Sequence, residues 1–584
     1  MIKLNKFRIG DEMREKDRSR VRDFDRKTRN IQLAFYCIII ALLLQLISLQ
    51  VFDLRHYKER AQRQRTGGSS HIMRGSIYDR NGIKLATDTI LYKIYFNKNY
   101  YNEEVRSKED LARILSPVLK EPKSVLMSKL NRNETIVLLK KDVDRFMKDD
   151  IVKCGLREIS IDKVSVRSYP QGGLAAHVLG YYNPESNIAQ GIEYTARDVL
   201  MDAKAPKIEK TPKGDILYGI ATDPITATTL PKGKDVTLTI DTAIQHICED
   251  ELNKAITKFK ALRGSVIVIA PKTGEILAYA VYPSYNPNNY NDASMLQLKN
   301  WTLTDVYPPG STFKILTIAS AMETGHINEF SKVYDSGKMK LGWWPIKNYD
   351  YDRNPCPGLI DLVYLFQHSS NVASAKVAQM MTKQEFHGML KKFGIGAKTG
   401  IDLTGESTGL LKAVSDWDMS DHASMGYGYA ASVTAIQMAA AVASIANNGT
   451  WITPHVIKYS PEEEAKHVQK IQIMQPQNAQ AITRLLAKSI ENGHTLMKLD
   501  NYTLAAKTGT SRKPKENATG YTNKLYTSVV GYLPASNPQV LIYVVVDSAQ
   551  GGEIFGNTVA APVFKEIAMQ ITRILNIAPD KVKR

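Results

Sequence analysis

Hydrophobic residues follow two different periods along the chain, and each period predicts a different kind of element. Alternating apolar residues predict β-strands, whereas apolar residues three or four positions apart predict helices that bury one face. Strands on both sides of a helical middle predict an α/β (α+β) fold, with helices packed around a mostly antiparallel sheet. The alternation predicts strands at Glu158–Tyr169 and Val236–Asp241. Two apolar runs joined by a Pro-Lys-Thr-Gly turn predict a hairpin at Gly264–Ser284, and a second strand pair is predicted at Tyr526–Pro534 and Gln539–Ser548. The helical spacing predicts helices at Thr242–Leu262 and Val563–Leu575.

Residues Ile31–Phe52 form an uncharged, largely apolar run of 22 residues. A helix of this length spans a hydrocarbon core of about 30 Å. The run is too long for a signal peptide and no A-x-A cleavage site follows it, so we expect a retained transmembrane anchor. Eleven Lys and Arg residues precede the run and five occur in the fifteen residues after it. This bias predicts a cytoplasmic N-terminus and an extracytoplasmic body.

A second uncharged stretch, Tyr429–Ala446, is long enough to be considered as a span. It consists mostly of Ala with Ser, Thr and Gln. This composition favours a buried helix of a large domain, so we expect a single-pass protein.

The same patterns divide the chain into five segments. A mixed region of short strands and polar loops follows the anchor, and the run TLPKGKD at Thr229–Asp235 is a candidate linker to the α/β domain. The predicted boundaries are 1–30 for a basic cytoplasmic segment, 31–52 for the anchor, 53–234 for the mixed region, 235–575 for the α/β domain and 576–584 for a tail.

Composition narrows the functional classes without choosing one. The 584 residues are 43% hydrophobic and 23% charged, which is typical of a globular protein. Four scattered cysteines without a C-x-x-C pair argue against a zinc ribbon, an iron–sulfur cluster and a disulfide scaffold, and we expect neither metal nor cofactor. The net charge of +18 suits nucleic acid, an anionic membrane or an acidic polymer, so charge alone identifies no partner.

The segment YPPGSTFKILTIASAMETG contains an S-x-x-K string, Ser311 to Lys314, at the predicted start of a helix. Residues three apart on a helix share a face, so the amine of Lys314 can reach the hydroxyl of Ser311. A serine hydroxyl is a poor nucleophile until a base removes its proton. A lysine can be that base if burial and nearby positive charge depress its pKa.

An S-x-N string, Ser369 to Asn371, follows 58 residues after Ser311. It stands between DLVYLFQH and the helical run VASAKVAQM. In this position Ser369 could relay a proton between the lysine and a leaving amine, and Asn371 could hold a substrate amide.

A K-T-G-T string at Lys507 to Thr510 lies in the predicted strand segment TLAAKTGTSRK. On an edge strand, Lys507 and Thr508 would bind a carboxylate. Gly509 would let the backbone approach a neighbour closely. The backbone N–H of Thr510 could then face a developing oxyanion.

Each of these strings is weak alone, because similar strings occur elsewhere in the chain. The decoys are Ser160–Lys163, Ser284–Asn286, Lys272–Gly274 and Lys398–Gly400. The first is predicted in a strand, the third in a hairpin turn and the fourth in a surface loop. Only one ordered set has a helix-start serine, then S-x-N, then K-T-G on a late strand, and that trio is known from penicillin-binding proteins and class A β-lactamases.

Longer blocks give a more specific resemblance. The chain resembles a class B penicillin-binding protein, closest to the cell-division type, from the apolar run to about residue 575. The blocks are RGSIYDRNG at Arg74–Gly82, YPQGGLAAHVLGY at Tyr169–Tyr181, GIEYT at Gly191–Thr195, PSYNPNNY at Pro283–Tyr290 and SMGYGYAASVTAIQMA at Ser424–Ala439. The resemblance implies that the mixed region is a pedestal (dimerisation-like) domain and that the α/β domain is a transpeptidase of serine β-lactamase-like fold.

The resemblance also implies roles for the motif residues. Ser311 would be the acylated nucleophile and Lys314 its base, with oxyanion-hole N–H groups from Ser311 and Thr510. Ser369, Asn371 and Lys507 would complete the catalytic set, and Thr508, Gly509 and Thr510 would bind substrate. The reaction would cleave the D-Ala-D-Ala bond of a peptidoglycan stem peptide, release D-Ala and crosslink the acyl group to a neighbouring amine. A β-lactam would acylate the same serine.

The sequence leaves other functions open. A β-lactamase would deacylate with a glutamate, and an E-x-x-L-N string occurs at Glu249–Asn253, but before the nucleophile. A β-lactam sensor, a non-catalytic scaffold of a wall-synthesis complex and an elongation-type transpeptidase are further alternatives. The resemblance implies a polytopic membrane glycosyltransferase and other division proteins as partners, and no nucleic acid.

Overall fold

The computed structural model describes residues 36, 39, 73–184, 186–203, 232–341, 344–515 and 520–581. The chain divides into two compact units, 1–71 and 72–584, and the description that follows concerns the second. Apart from Tyr36 and Ile39, the predicted anchor Ile31–Phe52 lies outside the described residues, as does the first part of the predicted linker. Within the described ranges, no helix combines the length and apolar character needed to cross a membrane.

Residues 73–203 form a small domain around one long strand, β2. This strand pairs antiparallel with β1, β3 and β4, and the apolar faces of α1 and α2 contribute to the core beside them. The strands are β1 (Ile77–Tyr78), β2 (Lys84–Asn97), β3 (Ile136–Val143), β4 (Ile159–Ser168), β5 (Tyr182–Asn183) and β6 (Ile188–Ala189). The helices are α1 (Lys108–Leu119), α2 (Lys123–Leu130), α3 (Arg145–Lys153), α4 (Ala176–Leu179), α5 (Gly191–Thr195) and α6 (Arg197–Leu200).

The remaining described residues build a larger α/β domain. Its strands are β7 (Val236–Thr237), β8 (Arg263–Ile269), β9 (Ile276–Tyr282), β10 (Lys332–Asp335), β11 (Lys338–Leu341), β12 (Trp344–Lys347), β13 (Gly358–Asp361), β14 (Thr450–Ile452), β15 (Lys470–Gln472), β16 (Ala505–Pro514), β17 (Tyr521–Leu533) and β18 (Val540–Asp547). Its helices are α7 (Thr242–Phe259), α8 (Met295–Leu298), α9 (Trp301–Thr304), α10 (Lys314–Glu323), α11 (Leu362–His368), α12 (Asn371–Met380), α13 (Lys383–Lys392), α14 (Met419–Met425), α15 (Ala435–Ala446), α16 (Pro461–His467), α17 (Pro476–Asn492) and α18 (Gly556–Ile574).

A five-stranded sheet with the order β16-β17-β18-β8-β9 forms the centre of this domain. Every neighbouring pair is antiparallel, as the sequence predicted. Side chains of a strand alternate between two faces, and along β18 Ile542 and Val544 enter one core while Tyr543 and Val545 enter the other. The helices α7 and α18 cover the first face, and α15 packs on the second.

The predicted buried helix in the second uncharged stretch is confirmed as α15. All twelve of its residues are buried, from Ala435 to Ala446. Its N-cap Thr434 accepts a hydrogen bond from the Gln437 N–H, and the Gln437 side chain accepts one from the Thr434 N–H. This capping box satisfies N–H groups that the first turn of a helix leaves without partners.

The RGSIYDRNG block joins the small domain to the larger one. Strand β1 pairs in parallel with β7, which precedes the first long helix of the larger domain. The Asp79 carboxylate accepts hydrogen bonds from the hydroxyl and the backbone N–H of Thr242, at 2.7 and 3.2 Å. The Ser76 N–H donates to Asp235 at 2.6 Å. The block therefore has a structural role, as predicted from its strand–turn pattern.

Two arginines and two carboxylates are buried together beside this junction. Glu193 is fully buried and accepts from Arg74 at 3.0 Å and from Arg167 at 2.6 Å. Arg167 also donates to Asp88 at 3.0 Å. Buried charges are tolerated only when they are paired and hydrogen-bonded. The cluster ties together the RGSIYDRNG block, β2, β4 and the GIEYT block.

Candidate active site

The S-x-x-K motif begins the helix that the sequence predicted. Residues Gly310–Phe313 form a single 3-10 turn that continues into α10 at Lys314. Gly310 has a φ of 58°, in the left-handed region that glycine adopts without strain. A Cβ at this position would lie 3.0 Å from the Ser511 Cβ and 3.2 Å from the Thr510 carbonyl oxygen. The turn therefore lies directly against β16.

The side chain of Lys314 joins the first two motifs. Its ammonium is fully buried and lies 3.1 Å from the Ser311 hydroxyl oxygen. It also donates to the Ser369 carbonyl at 2.5 Å, to the Ser369 hydroxyl at 3.1 Å and to the Asn371 side-chain oxygen at 2.8 Å. This one amine thus connects four of the predicted positions, its own included.

Ser369 adopts a left-handed backbone conformation that orients the second motif toward Lys314. Ser369 ends α11 with φ 54° and ψ 44°, a conformation that is uncommon for a residue other than glycine. The next residue, Ser370, is the N-cap of α12 and accepts from the Ala373 N–H. The reversal between the two helices directs the Ser369 carbonyl and hydroxyl to the same ammonium.

Two buried residues that carry no motif hold the second motif in place. The Asp335 carboxylate, at the end of β10, accepts from the Ser370 hydroxyl at 2.6 Å. The Asn348 side-chain oxygen, just after β12, accepts from the Asn371 N–H at 2.9 Å. Neither residue was predicted from the sequence, because an Asp and an Asn in or beside short strands have no distinguishing spacing and meet the motif only after folding.

The K-T-G-T string lies on β16, at the edge of the central sheet, as predicted. The Lys507 side chain is buried, with its ammonium 3.1 Å from the Thr508 carbonyl oxygen. A Cβ on Gly509 would lie 3.0 Å from the Thr312 methyl group and 3.2 Å from the Pro309 carbonyl oxygen. The third motif therefore packs against the turn that carries the first.

The backbone of β16 exposes N–H groups on the side away from β17. The Arg512 N–H donates to the hydroxyl of Tyr429, at 3.3 Å, instead of to β17. Successive N–H groups of a strand point in opposite directions, so the Thr510 N–H points the same way as that of Arg512. The neighbouring Gly428 carbonyl accepts from the Gly310 N–H at 3.0 Å, which places this edge beside the Ser311 turn.

Burial depresses the pKa of both site lysines. The pKa of Lys314 lies well below its usual value, first because the ammonium is buried and second because the positive charge of Lys507 is near. The nearby Asp335 and Asp350 carboxylates oppose this shift. Burial lowers the pKa of Lys507 to about 7. A neutral amine is therefore accessible at Lys314, which is what a base requires.

The decoy strings lie in other environments. Ser160–Lys163 is part of β4, Lys272–Gly274 forms the turn of the β8–β9 hairpin and Lys398–Gly400 lies in a loop after α13. The carboxyl of Glu249, on α7, accepts from the Ala175 N–H at 2.9 Å. Among the described residues, no group of three or more His, Cys, Asp or Glu side chains is arranged to hold a metal ion.

Comparison with known families assigns both domains. Residues 264–569 match the penicillin binding protein transpeptidase domain, and residues 70–200 match the penicillin-binding protein dimerisation domain. The first match covers the helices and strands that carry all three motifs, and the second covers the small domain built on β2.

Named relatives and a solved structure agree with these matches. A probable peptidoglycan D,D-transpeptidase PbpC of Pseudomonas aeruginosa is 30% identical over 518 residues, covering 88% of each chain. Peptidoglycan D,D-transpeptidase FtsI of Escherichia coli is 30% identical over 517 residues, covering 87% of this chain and 84% of that protein. Penicillin Binding Protein 2X of Streptococcus thermophilus shares the fold, with a TM-score of 0.69 at 24% identity, covering 87% of this chain and 81% of that one. The chain therefore belongs to the class B penicillin-binding proteins.

Proposed function

We propose that this protein is a serine-type peptidoglycan D,D-transpeptidase in which Ser311 is the acylated nucleophile. Neutral Lys314 accepts the hydroxyl proton as the serine oxygen attacks the carbonyl carbon of the D-Ala-D-Ala bond. The C–N bond then breaks, the amine of the terminal D-Ala leaves with a proton, and an ester remains on Ser311. The amine of a second stem peptide attacks the ester, the serine regains its proton and a new amide bond crosslinks the two strands.

The other motif residues serve the same reaction. The Ser369 hydroxyl, 3.1 Å from the Lys314 ammonium, passes the proton to the leaving amine, and Asn371 holds the substrate amide. Lys507 and Thr508 bind the terminal carboxylate. The N–H groups of Ser311 and Thr510 stabilise the oxyanion, and removing one such donor costs about 10²- to 10³-fold in rate. Gly509 lets β16 approach the Ser311 turn.

The observation that carries the proposal is the position of one buried amine. The Lys314 ammonium lies within 3.1 Å of the Ser311 hydroxyl, the Ser369 hydroxyl and the Asn371 side-chain oxygen. A buried lysine with a purely structural role would need only hydrogen-bond acceptors around its ammonium, and any oxygen could serve. The presence of an otherwise weak nucleophile among those acceptors, with the lysine pKa lowered by burial, favours general-base chemistry.

Covalent labelling with a fluorescent penicillin tests the nucleophile. We expect the full-length protein to be labelled and Ser311→Ala to lose the label, while Ser160→Ala, the serine of the decoy S-x-x-K string, keeps it. Mass spectrometry of the penicilloyl peptide should place the adduct on Ser311. A labelled Ser311→Ala variant would contradict the assignment, and rapid turnover of penicillin would favour a β-lactamase.

Release of D-Ala separates an enzyme from a sensor or a scaffold. With a synthetic stem peptide and an added amine, the wild-type protein should release D-Ala and form the crosslinked product. Ser311→Ala should do neither. If cells that carry only Ser311→Ala grow normally, the scaffold alternative is favoured.

We further propose that residues 31–52 anchor the protein in the cytoplasmic membrane, with its catalytic domain outside. The support is the uncharged run and the excess of basic residues before it. Deleting 31–52 should move the protein from the membrane to the soluble fraction, and an unchanged distribution would contradict the anchor. A protease added outside spheroplasts should digest the catalytic domain.

Septal wall synthesis is the proposed cellular role, together with a polytopic glycosyltransferase that supplies glycan strands. The sequence blocks that resemble the division type support this role. Depletion of the protein should give long filaments without septa. Rounded cells would instead favour the elongation-type alternative.

A further inference from the structure

We propose that Asp335 is a positioning residue for the acyl-transfer reaction, which acts through Asn348 and Ser370 to hold the Ser369–Asn371 motif against Lys314. This inference rests on the function proposed above. Asp335 touches none of the reacting groups in the described structure. It belongs to a segment of short strands, β10 to β13, that precedes the second motif in the chain.

The Asp335 carboxylate is fully buried and uses both oxygens. One oxygen accepts from the Gly337 N–H at 2.7 Å, and the other accepts from the Ser370 hydroxyl at 2.6 Å. The Asn348 side-chain amide donates to both, at 3.1 and 2.8 Å. A buried carboxylate is costly unless it is satisfied in this way, so its position in the segment is fixed.

The same contacts continue to the beginning of α12. The Asn348 oxygen accepts from the N–H groups of Asn371 and Val372, at 2.9 and 3.1 Å. Ser370 caps the helix by accepting from the Ala373 N–H at 2.9 Å. Three of the N–H groups that begin α12 are therefore satisfied by two side chains that Asp335 holds.

The result of this chain of contacts is the geometry at Lys314. The residues held directly, Ser370 and Asn371, are the last two of the motif, and Ser369 is in a left-handed conformation that its neighbours must maintain. A rotation of the α12 N-terminus would move the Ser369 carbonyl and the Asn371 oxygen away from the Lys314 ammonium. Misplacement of catalytic groups by about 1 Å can cost 10²-fold in rate.

Charge gives Asp335 a second effect on the same lysine. Three charged groups act on Lys314: the positive Lys507 lowers its pKa, and the negative Asp335 and Asp350 raise it. Neutralising Asp335 removes one of the two raising contributions, so the Lys314 pKa falls further. Because Lys314 must be neutral to act as a base, the rising limb of the pH profile for acylation should move to lower pH.

Three variants separate positioning from general structural support. Asp335→Asn removes the negative charge, and its new amide N–H group would face the amide N–H group of Asn348, which is itself a donor. The double variant Asp335→Asn/Asn348→Asp exchanges the two groups, so the hydrogen bond between positions 335 and 348 and one negative charge are kept. Asp352→Asn is the matched control on the same segment, because Asp352 is exposed and pairs only with exposed Lys347 among the ion pairs described.

The experiment measures second-order acylation of full-length protein by fluorescent penicillin between about pH 5 and 9, with D-Ala release from a stem peptide. We expect Asp335→Asn to be acylated about 10- to 100-fold more slowly than the wild type. In D-Ala release, kcat should fall more than KM changes. The rise of the acylation rate with pH should occur at lower pH. The exchanged double variant should recover most of the rate and move the limb back, and Asp352→Asn should match the wild type. Melting temperatures are measured in parallel so that rates are compared on folded protein.

Two results would overturn the inference. One is an Asp335→Asn variant whose acylation rate is within about threefold of the wild-type rate and whose pH profile is unchanged. The other is a slow Asp335→Asn variant that the exchange with Asn348 does not restore, since that result means structural damage alone. Failure of the wild-type protein to be labelled would instead reject the proposed function, so the two failures are distinguishable.

Discussion

Replacing Gly509 with alanine tests whether close contact between β16 and the Ser311 turn is needed for acylation. The added Cβ would lie 2.6 Å from the Ser528 hydroxyl, 3.0 Å from the Thr312 methyl and 3.2 Å from the Pro309 carbonyl oxygen, where ordinary contacts begin at 3.4 Å. The serine hydroxyl can rotate away. The methyl and the carbonyl cannot, because the Thr312 hydroxyl donates to that carbonyl at 2.9 Å and fixes both.

Strand β16 must therefore shift by a few tenths of an ångström. Overpacking of this kind costs about 1–3 kcal/mol, and each kcal/mol lowers the melting temperature of a domain of this size by about 1–2 °C. Because Lys507 and Thr510 move with the strand, we expect acylation by fluorescent penicillin to slow by about 10-fold or more. Gly509 does not have a positive φ, so the effect is one of contact and not of backbone strain.

Gly388→Ala provides the matched control. This glycine lies in α13, has no positive φ, and has no atom within 4 Å of the position that an added Cβ would occupy. Alanine should therefore raise helix stability by up to about 1 kcal/mol and leave acylation unchanged. Acylation rates and melting temperatures of the two variants are compared at one pH. A Gly509→Ala protein that acylates at the wild-type rate would refute the claim that this contact sets the geometry.

Three further predictions concern charge and packing. The acylation rate should rise with pH as Lys314 loses its proton. It should fall above about pH 7 as Lys507, whose pKa burial lowers to about 7, loses the charge that we propose binds the substrate carboxylate. Lys507→Gln should remove this fall in rate, and a fall that persists would contradict the role proposed for Lys507. Glu193→Gln should lower the free energy of unfolding by about 3–5 kcal/mol, because it leaves two buried arginines without their shared negative partner. The exposed control Glu104→Gln should leave stability unchanged. Equal melting temperatures of the two variants in thermal unfolding would refute this prediction. Gly75→Ala should lower the melting temperature, since its Cβ would lie 1.7 Å from a backbone carbonyl oxygen, and an unchanged value would show that the junction can relax.

Periodicity predicted the elements of the central sheet well because each face of each strand is buried against a different layer. The strands β8, β9 and β18 consist largely of consecutive apolar residues, and such runs have few alternatives in a large domain. The helix α15 was predicted as buried from small residues without charge. These patterns are local, so they can be recognised without knowing the fold.

The candidate site was predictable only where its residues form recognisable strings. The S-x-x-K, S-x-N and K-T-G-T strings supplied Ser311, Lys314, Asn371 and Lys507, which the structure places around two neighbouring turns and one strand edge. Asp335 was missed because its contacts join residues 35 positions apart through a hydrogen bond that no spacing announces. The pairing of β1 with β7 was also missed, because two strands of only two residues each have no recognisable sequence pattern.

The parallel pairing of β1 with β7 has a consequence for how such proteins can be recombined. Residues from both sides of the predicted linker, including Ile77, Leu200, Val236 and Ile267, belong to one continuous core. A chimaera joined at the linker would place part of that core in a foreign sequence, with mismatched volumes on the two sides. Exchange of the small domain between relatives should therefore succeed only when the segments around Ile77 and Leu200 travel with the catalytic domain.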